Sequence, residues 1–249
     1  MNAQIPKGWG EDPLSEFIEA AHHNCIASFV NYSNLPVMKA VKEVDALFHC
    51  IFHIPYKPKE EILLPSFVGR SHSAYLNSIQ MSTAGQIPEA YAPVRLCLEN
   101  ALYGLFNQDD PTIHEEIPSI SKVWLDRGTN NEATKKCREV FAYGKLRSHL
   151  ISRDNALGEY TATLYERTIT YGAHPNFYAH AFTSDLSAEK GGVIQYLLPN
   201  TDVCKLCLQT AVQAGMCALQ IFGLILQERF VAAGIPERLK QITKDCHLT

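Results

Sequence analysis

The residues best placed by type and spacing to do chemistry are Arg167 and His174. They sit in the run Tyr165-Glu166-Arg167-Thr168-Ile169-Thr170-Tyr171-Gly172-Ala173-His174-Pro175-Asn176. Seven residues make about two turns of a continuous α-helix, so the pair would share one side, about 10 Å apart along the axis. A guanidinium holds a phosphate through two parallel hydrogen bonds. An imidazole exchanges protons near neutral pH. Together they could cleave RNA without a metal. Histidine would move a proton as the 2′-hydroxyl attacks the neighbouring phosphate, and arginine would stabilise charge growing on the phosphoryl oxygens. At that separation, two copies facing each other across a homodimer would complete one site. The structural alternative pairs Arg167 with a nearby acid and lets His174 cap the helix end, where a cation is favoured. Gly172 and Pro175 put that end near His174.

The stretch resembles the Arg-x(4–6)-His motif of the HEPN superfamily, here Arg167-x6-His174. The hairpin from Leu64 to Phe106 is loosely similar to helix pairs in bacterial members of that kind, through Gly85-Gln86-Ile87-Pro88-Glu89-Ala90 and Arg95-Leu96-Cys97-Leu98-Glu99. The resemblance covers about 100 residues in three or four helices. It implies a compact helical bundle and a metal-independent ribonuclease with Arg167 and His174 as catalytic residues. Arg95, Glu99, Tyr171, Asn176 and His180 would then line the substrate site. The chain departs from the family pattern at Thr168, where those nucleases place Asn, Asp or His.

Other clusters are less complete. Arg95 and Glu99 are four apart on a stripe with Tyr91, Leu98, Leu102 and Phe106, which predicts a half-buried ion pair. Such a pair is structural, or it lies opposite Arg167 or His174 and orients one of them. His49 and His53 have a spacing that can bind a metal from one helix face. No third ligand is marked beside them, and His22-His23 with Cys25 is equally incomplete. A metal site from His49, His53 or His174 with His180 is a weaker idea, and no metal or other cofactor is expected. Cys204-x-x-Cys207 has no second pair to complete a zinc site. Buried thiols are the expectation there, with redox chemistry at a helix N-terminus as the alternative.

The 249 residues carry a net charge of −4, with 46% hydrophobic and 19% charged residues. That is ordinary globular composition, and it argues against a general nucleic-acid binder. Charge is uneven, however. From Lys122 to Asp154 there are eight bases and four acids, so the 122–153 region could meet RNA or simply form a solvated helix face. Eight scattered cysteines and a polar N-terminus predict free thiols in a reducing cytoplasmic setting. No phosphate loop, dinucleotide fingerprint or Gly-x-Ser-x-Gly elbow is present.

The elements that would position these residues are helical. Asp12-Pro13 opens a helix to about Tyr32, and Pro36 opens the next, with a stripe of Val37, Val41, Val44, Phe48 and Ile51. A third runs from about Pro65 to Ala84 and stops at Gly85, and a fourth runs from Pro88 to Phe106 with a kink or late start at Pro93. Residues 107–129 read as a surface excursion with one short helix near Trp124. Asn130 or Asn131 caps a basic helix to about Tyr143. Another helix lies between Asp154 and Gly172, and Thr201 caps an apolar helix to Ala233. Its Leu206–Gln227 stretch is uncharged, yet Gln209, Gln213, Gln220 and Gln227 fall on one side. That pattern suits the central helix of a bundle better than a membrane span. Val193 to Leu198 is the one candidate strand. The expected architecture is all-α: a single domain over 1–249, with an antiparallel four-helix core from 64–107 and 154–233. The basic insertion spans 108–153, and the two N-terminal helices (1–54) lie outside the core.

Two functions fit these patterns. One is the metal-independent ribonuclease. The other is a non-catalytic helical module binding a partner protein or a small apolar ligand. The second predicts that Arg167 is paired off, that His174 is buried or faces plain solvent, and that the main cavity lies elsewhere among apolar residues.

Overall fold

Three helices start where a short polar side chain can satisfy an orphan backbone N–H. Asp12 accepts from Leu14 and Ser15, at 3.0 and 3.1 Å. Asn130 accepts from Ala133 at 2.8 Å, and Asp154 from Leu157 at 3.0 Å. Gly85 ends another helix in the left-handed region, with φ 92°, where a Cβ would be strained.

The computed structural model describes residues 5–57, 61, 63–110, 119–173, 177–185, 193–198 and 202–246. Side chains are not described at 173, 179, 180, 182, 184, 185, 193 and 194. The order is α1 (Pro13–Tyr32), α2 (Pro36–Phe52), α3 (Leu64–Ala84), α4 (Ile87–Gln108), α5 (Ser119–Leu125), α6 (Asn131–Val140), α7 (Tyr143–Arg153) and α8 (Asn155–Thr168). A π-helical turn (Ile169–Ala173) follows, then α9 (Phe177–Thr183), β1 (Ser184–Asp185), β2 (Val193–Ile194), α10 (Asp202–Leu226), α11 (Glu228–Ala232) and α12 (Ile235–Cys246). The fold is an all-α bundle. Its two short strands pair antiparallel, Ser184 opposite Ile194 and Asp185 opposite Val193.

α10 runs through the centre, packed on α2, α3, α4 and α8. Among the described residues it is the one helix long and apolar enough to cross a membrane, and 78% of its most apolar window is buried within the fold. Gly215 lets α2 and α3 come close. A Cβ there would stand 2.7 Å from Val44 and 3.0 Å from the Tyr75 ring.

Several expectations need correction. α2 is part of the core and not outside it: Met38, Val44, Leu47, Phe48 and Ile51 are fully buried. Its apolar residues cover more than one stripe, so it is gripped by both α3 and α10. α1 does lie outside. It buries few side chains and is tied to the end of α3 by Ser28 to the Thr83 carbonyl (2.9 Å) and Asn24 to the Ala84 carbonyl (3.1 Å). α4 continues through Pro93 from Ile87, so the proline imposes no late start. The apolar helix ends at Leu226 and not at Ala233. Gln227 takes φ 50°, and the Phe230 ring folds back onto Gly223. Finally, 143–153 is a helix of its own, and Leu146 and Leu150 anchor it in the core. The proposed cap Thr201 and the long excursion's residues 111–118 lie outside the described residues.

Candidate functional site

Arg167 stands in the last turn of α8. Its Nη1 donates to Gln213 Oε1 on α10, at 2.7 Å. The acid expected as its partner is a neutral amide instead. After Thr168 the chain winds as a π turn, which takes up an extra residue, and Gly172 leaves helical conformation. Seven residues therefore no longer make two α-turns from Arg167. Gly172 is required for a close approach: a Cβ there would lie 1.9 Å from the Pro88 carbonyl oxygen. His174 and Asn176 lie outside the described residues, and His180 is described only as backbone within α9. Tyr171 is half-buried, its ring 5.6 Å from those of Tyr91 and Tyr178.

Arg95 and Glu99 form the half-buried pair on α4, Nε to Oε1 at 2.8 Å. Their partner on α8 is Tyr165 and not Arg167. The Tyr165 hydroxyl donates to Glu99 at 3.0 Å, and the Arg95 guanidinium lies 4.7 Å from its ring centre. Tyr143 stacks on the Tyr165 ring at 3.6 Å. Burial raises the Tyr165 pKa, with the Glu99 charge adding to it, so the phenol stays a donor and the group reads as a bolt between α4, α7 and α8.

The Cys204/Cys207 pair is buried, in keeping with the expectation of structural thiols. Cys204 donates to the Ser82 carbonyl at 3.1 Å, and Cys207 accepts from the Ser82 hydroxyl at 3.1 Å. Burial pushes Cys204 up to about 11 and Cys207 up to about 12. That is the opposite of the lowering a redox thiol needs. In the 122–153 region, four of the eight bases are already engaged. Arg127 lies over the Trp124 ring at 3.6 Å, and Lys135, Arg147 and Arg153 pair with Glu139, Glu159 and Asp109.

Gln213, the partner of Arg167, also lines an apolar groove of about 560 Å³ between α8, α10 and α12. Leu157, Met216, Leu224, Phe230 and Leu239 supply its apolar lining. Gln213 and Gln220, two turns apart on α10, bring amides to it, and Lys240 and Thr243 bring polar groups from α12. Cys217 also lines it, held to Thr161 at 3.0 Å, and burial pushes its thiol up to about 12. Two of the four glutamines in the sequence's amide stripe, Gln213 and Gln220, fall in this groove, while Gln209 and Gln227 lie outside it. What the sequence did not mark is that α8 and α12 stand apart over that stripe. Comparison with protein-family models, with curated proteins and with solved structures returns no match.

His53 ends α2 in an exposed position and does not join His49. His22 and His23 are exposed on α1, and Cys25 donates to the Gln80 carbonyl at 3.5 Å. His49 instead meets Asp45 and His72, a grouping between helices that intrahelical spacing does not show.

Proposed function

We propose that the protein is a non-catalytic helical module that binds a small amphipathic molecule in the α8–α10–α12 groove. The observation that carries this reading is the groove's volume of about 560 Å³ with an apolar lining and a few convergent polar groups. Pockets of that size and character hold drug-sized ligands. The polar groups favour a ligand with an acceptor head. Gln213 has its carbonyl taken by Arg167, which leaves its amide N–H to offer. Asp154, at one end, spends an oxygen capping α8. Lys240 adds positive charge at the rim. A molecule with an apolar body and a carboxylate, sulfonate or carbonyl end answers Gln213 and Lys240, with its head turned away from the Asp154 carboxylate.

Titration with 1-anilinonaphthalene-8-sulfonate tests this directly. The expected result is enhanced emission saturating at one equivalent and abolished in Ala156→Trp, a rim residue whose exposed side chain lets the indole fill the groove without disturbing the core. Binding that is absent, or unchanged in that variant, overturns the reading. The same preparation, incubated with RNA and a chelator, is expected to leave the RNA intact. Cleavage that disappears in His174→Ala would give the protein a nuclease function in place of the one proposed.

A further inference from the structure

α2 and α3 bring three metal-ligating side chains to one point. Asp45 and His49 lie one turn apart on α2, and His72 reaches them from α3. His72 Nε2 is 2.6 Å from Asp45 Oδ1, and His49 Nε2 is 3.8 Å from the same oxygen. The three ligand atoms all fall within 4.8 Å of one another. A buried histidine needs one partner, and Asp45 alone would satisfy the His72 ring nitrogen. That need does not account for His49, whose imidazole turns edge-on to His72 at 5.0 Å and toward the same oxygen.

We propose that Asp45, His49 and His72 bind a late first-row divalent cation, with zinc as the fitting ion. Imidazole and carboxylate suit this class, and a tetrahedral site with bonds near 2.0–2.2 Å separates its donors by about 3.3 Å. The 2.6 and 3.8 Å separations straddle that value, so side-chain torsions suffice to close the site. The anchor is rigid. His72 is 8% exposed, stacked 5.0 Å from Phe48 and tilted against Phe52 at 5.9 Å. The adjustable ligand is His49, 63% exposed and with room to turn. The apolar rings wall one side, and the exposed side leaves the remaining coordination position to water or to a ligand atom. The site shares no residue with the α8–α10–α12 groove and stands independently of what that groove binds.

Cobalt(II) is the probe, added to the reduced full-length protein, with zinc measured by competition against a chromophoric chelator. The expected result is one bound cobalt giving visible d–d absorption without the intense near-ultraviolet band of thiolate ligation. Affinity should fall about tenfold or more in both His49→Ala and Asp45→Asn, since loss of even a supporting group costs that much. Both substitutions are at side chains with substantial exposure. The amide carbonyl that Asp45→Asn introduces would still accept from His72, so circular dichroism should be unchanged. No binding, a thiolate band, or binding retained in either variant overturns the proposal.

Discussion

The central helix α10 has two unlike sides. Around Gly215 and the two thiols it is closed against α2, α3 and α4: Gly215 admits Val44 and Tyr75, and Cys204 and Cys207 bond to Ser82. Toward α8 and α12 it is held apart, and the gap is the groove. The difference lies in side-chain type. Small residues and thiols let helices close, whereas Gln213 and Gln220 need polar company that close apolar packing would deny them. Stability is concentrated on the first side, and the capacity to bind on the second.

The buried thiols, two on the sealed side and one beneath the groove, should give the strongest response to pH. Burial pushes Cys97 and Cys207 up to about 12 from a usual value of 9, and the same holds for Cys217 beneath the groove. A raised folded pKa means stability is fully present below pH 9 and is lost as pH rises, because the unfolded chain ionises first. Between pH 9 and 10 the unfolded thiol passes from half to about nine-tenths ionised, so each thiol removes about 1 kcal/mol and the three together about 3 kcal/mol. Urea unfolding at pH 8, 9 and 10 reads this. A level profile to pH 10 would mean the thiols are not sealed.

Substitution at the tightest contact comes next. Gly215→Ala places a methyl 2.7 Å from Val44 and 3.0 Å from Tyr75, whose hydroxyl is anchored on the Val41 carbonyl. Overpacking of this kind costs about 1–3 kcal/mol. A variant as stable as the parent would show that α10 is no closer to α2 and α3 than to α8. On the open side, Gln213→Leu strips Arg167 of its acceptor and should cost about 1–2 kcal/mol. The same change should weaken acceptor-headed probes more than purely apolar ones. Equal weakening of both would remove the amide from the binding argument.

Features set within one helix were more legible in the sequence than meetings between helices. Asp12, Asn130 and Asp154 act on backbone within three residues, so their caps are local facts. The stripe of Val37, Val41, Val44, Phe48 and Ile51 is periodic, and all five are buried. By contrast, Arg167 finds its acceptor 46 residues away, and His72 meets Asp45 across 27. No intrahelical spacing encodes either meeting. The π turn after Thr168 was invisible for a related reason. It ends where Gly172 packs on the Pro88 backbone, a contact made only in the assembled fold. The break at Gln227 likewise depends on Phe230 returning to Gly223.

The smallest stability effect belongs to the groove rim, where it separates the two sides of α10 most cleanly. Ala156 and Thr243 are exposed, on α8 and α12, and both line the gap. Tryptophan at either position adds an aromatic body to open space and removes nothing from the core, so stability should change by less than about 0.5 kcal/mol. Occupancy should change completely, because an indole fills much of the volume a ligand needs. Small thermal shift with lost probe binding is therefore the expected signature. If instead the rim variants unfold, the space between α8 and α12 is packed in solution, and α10 has two closed sides.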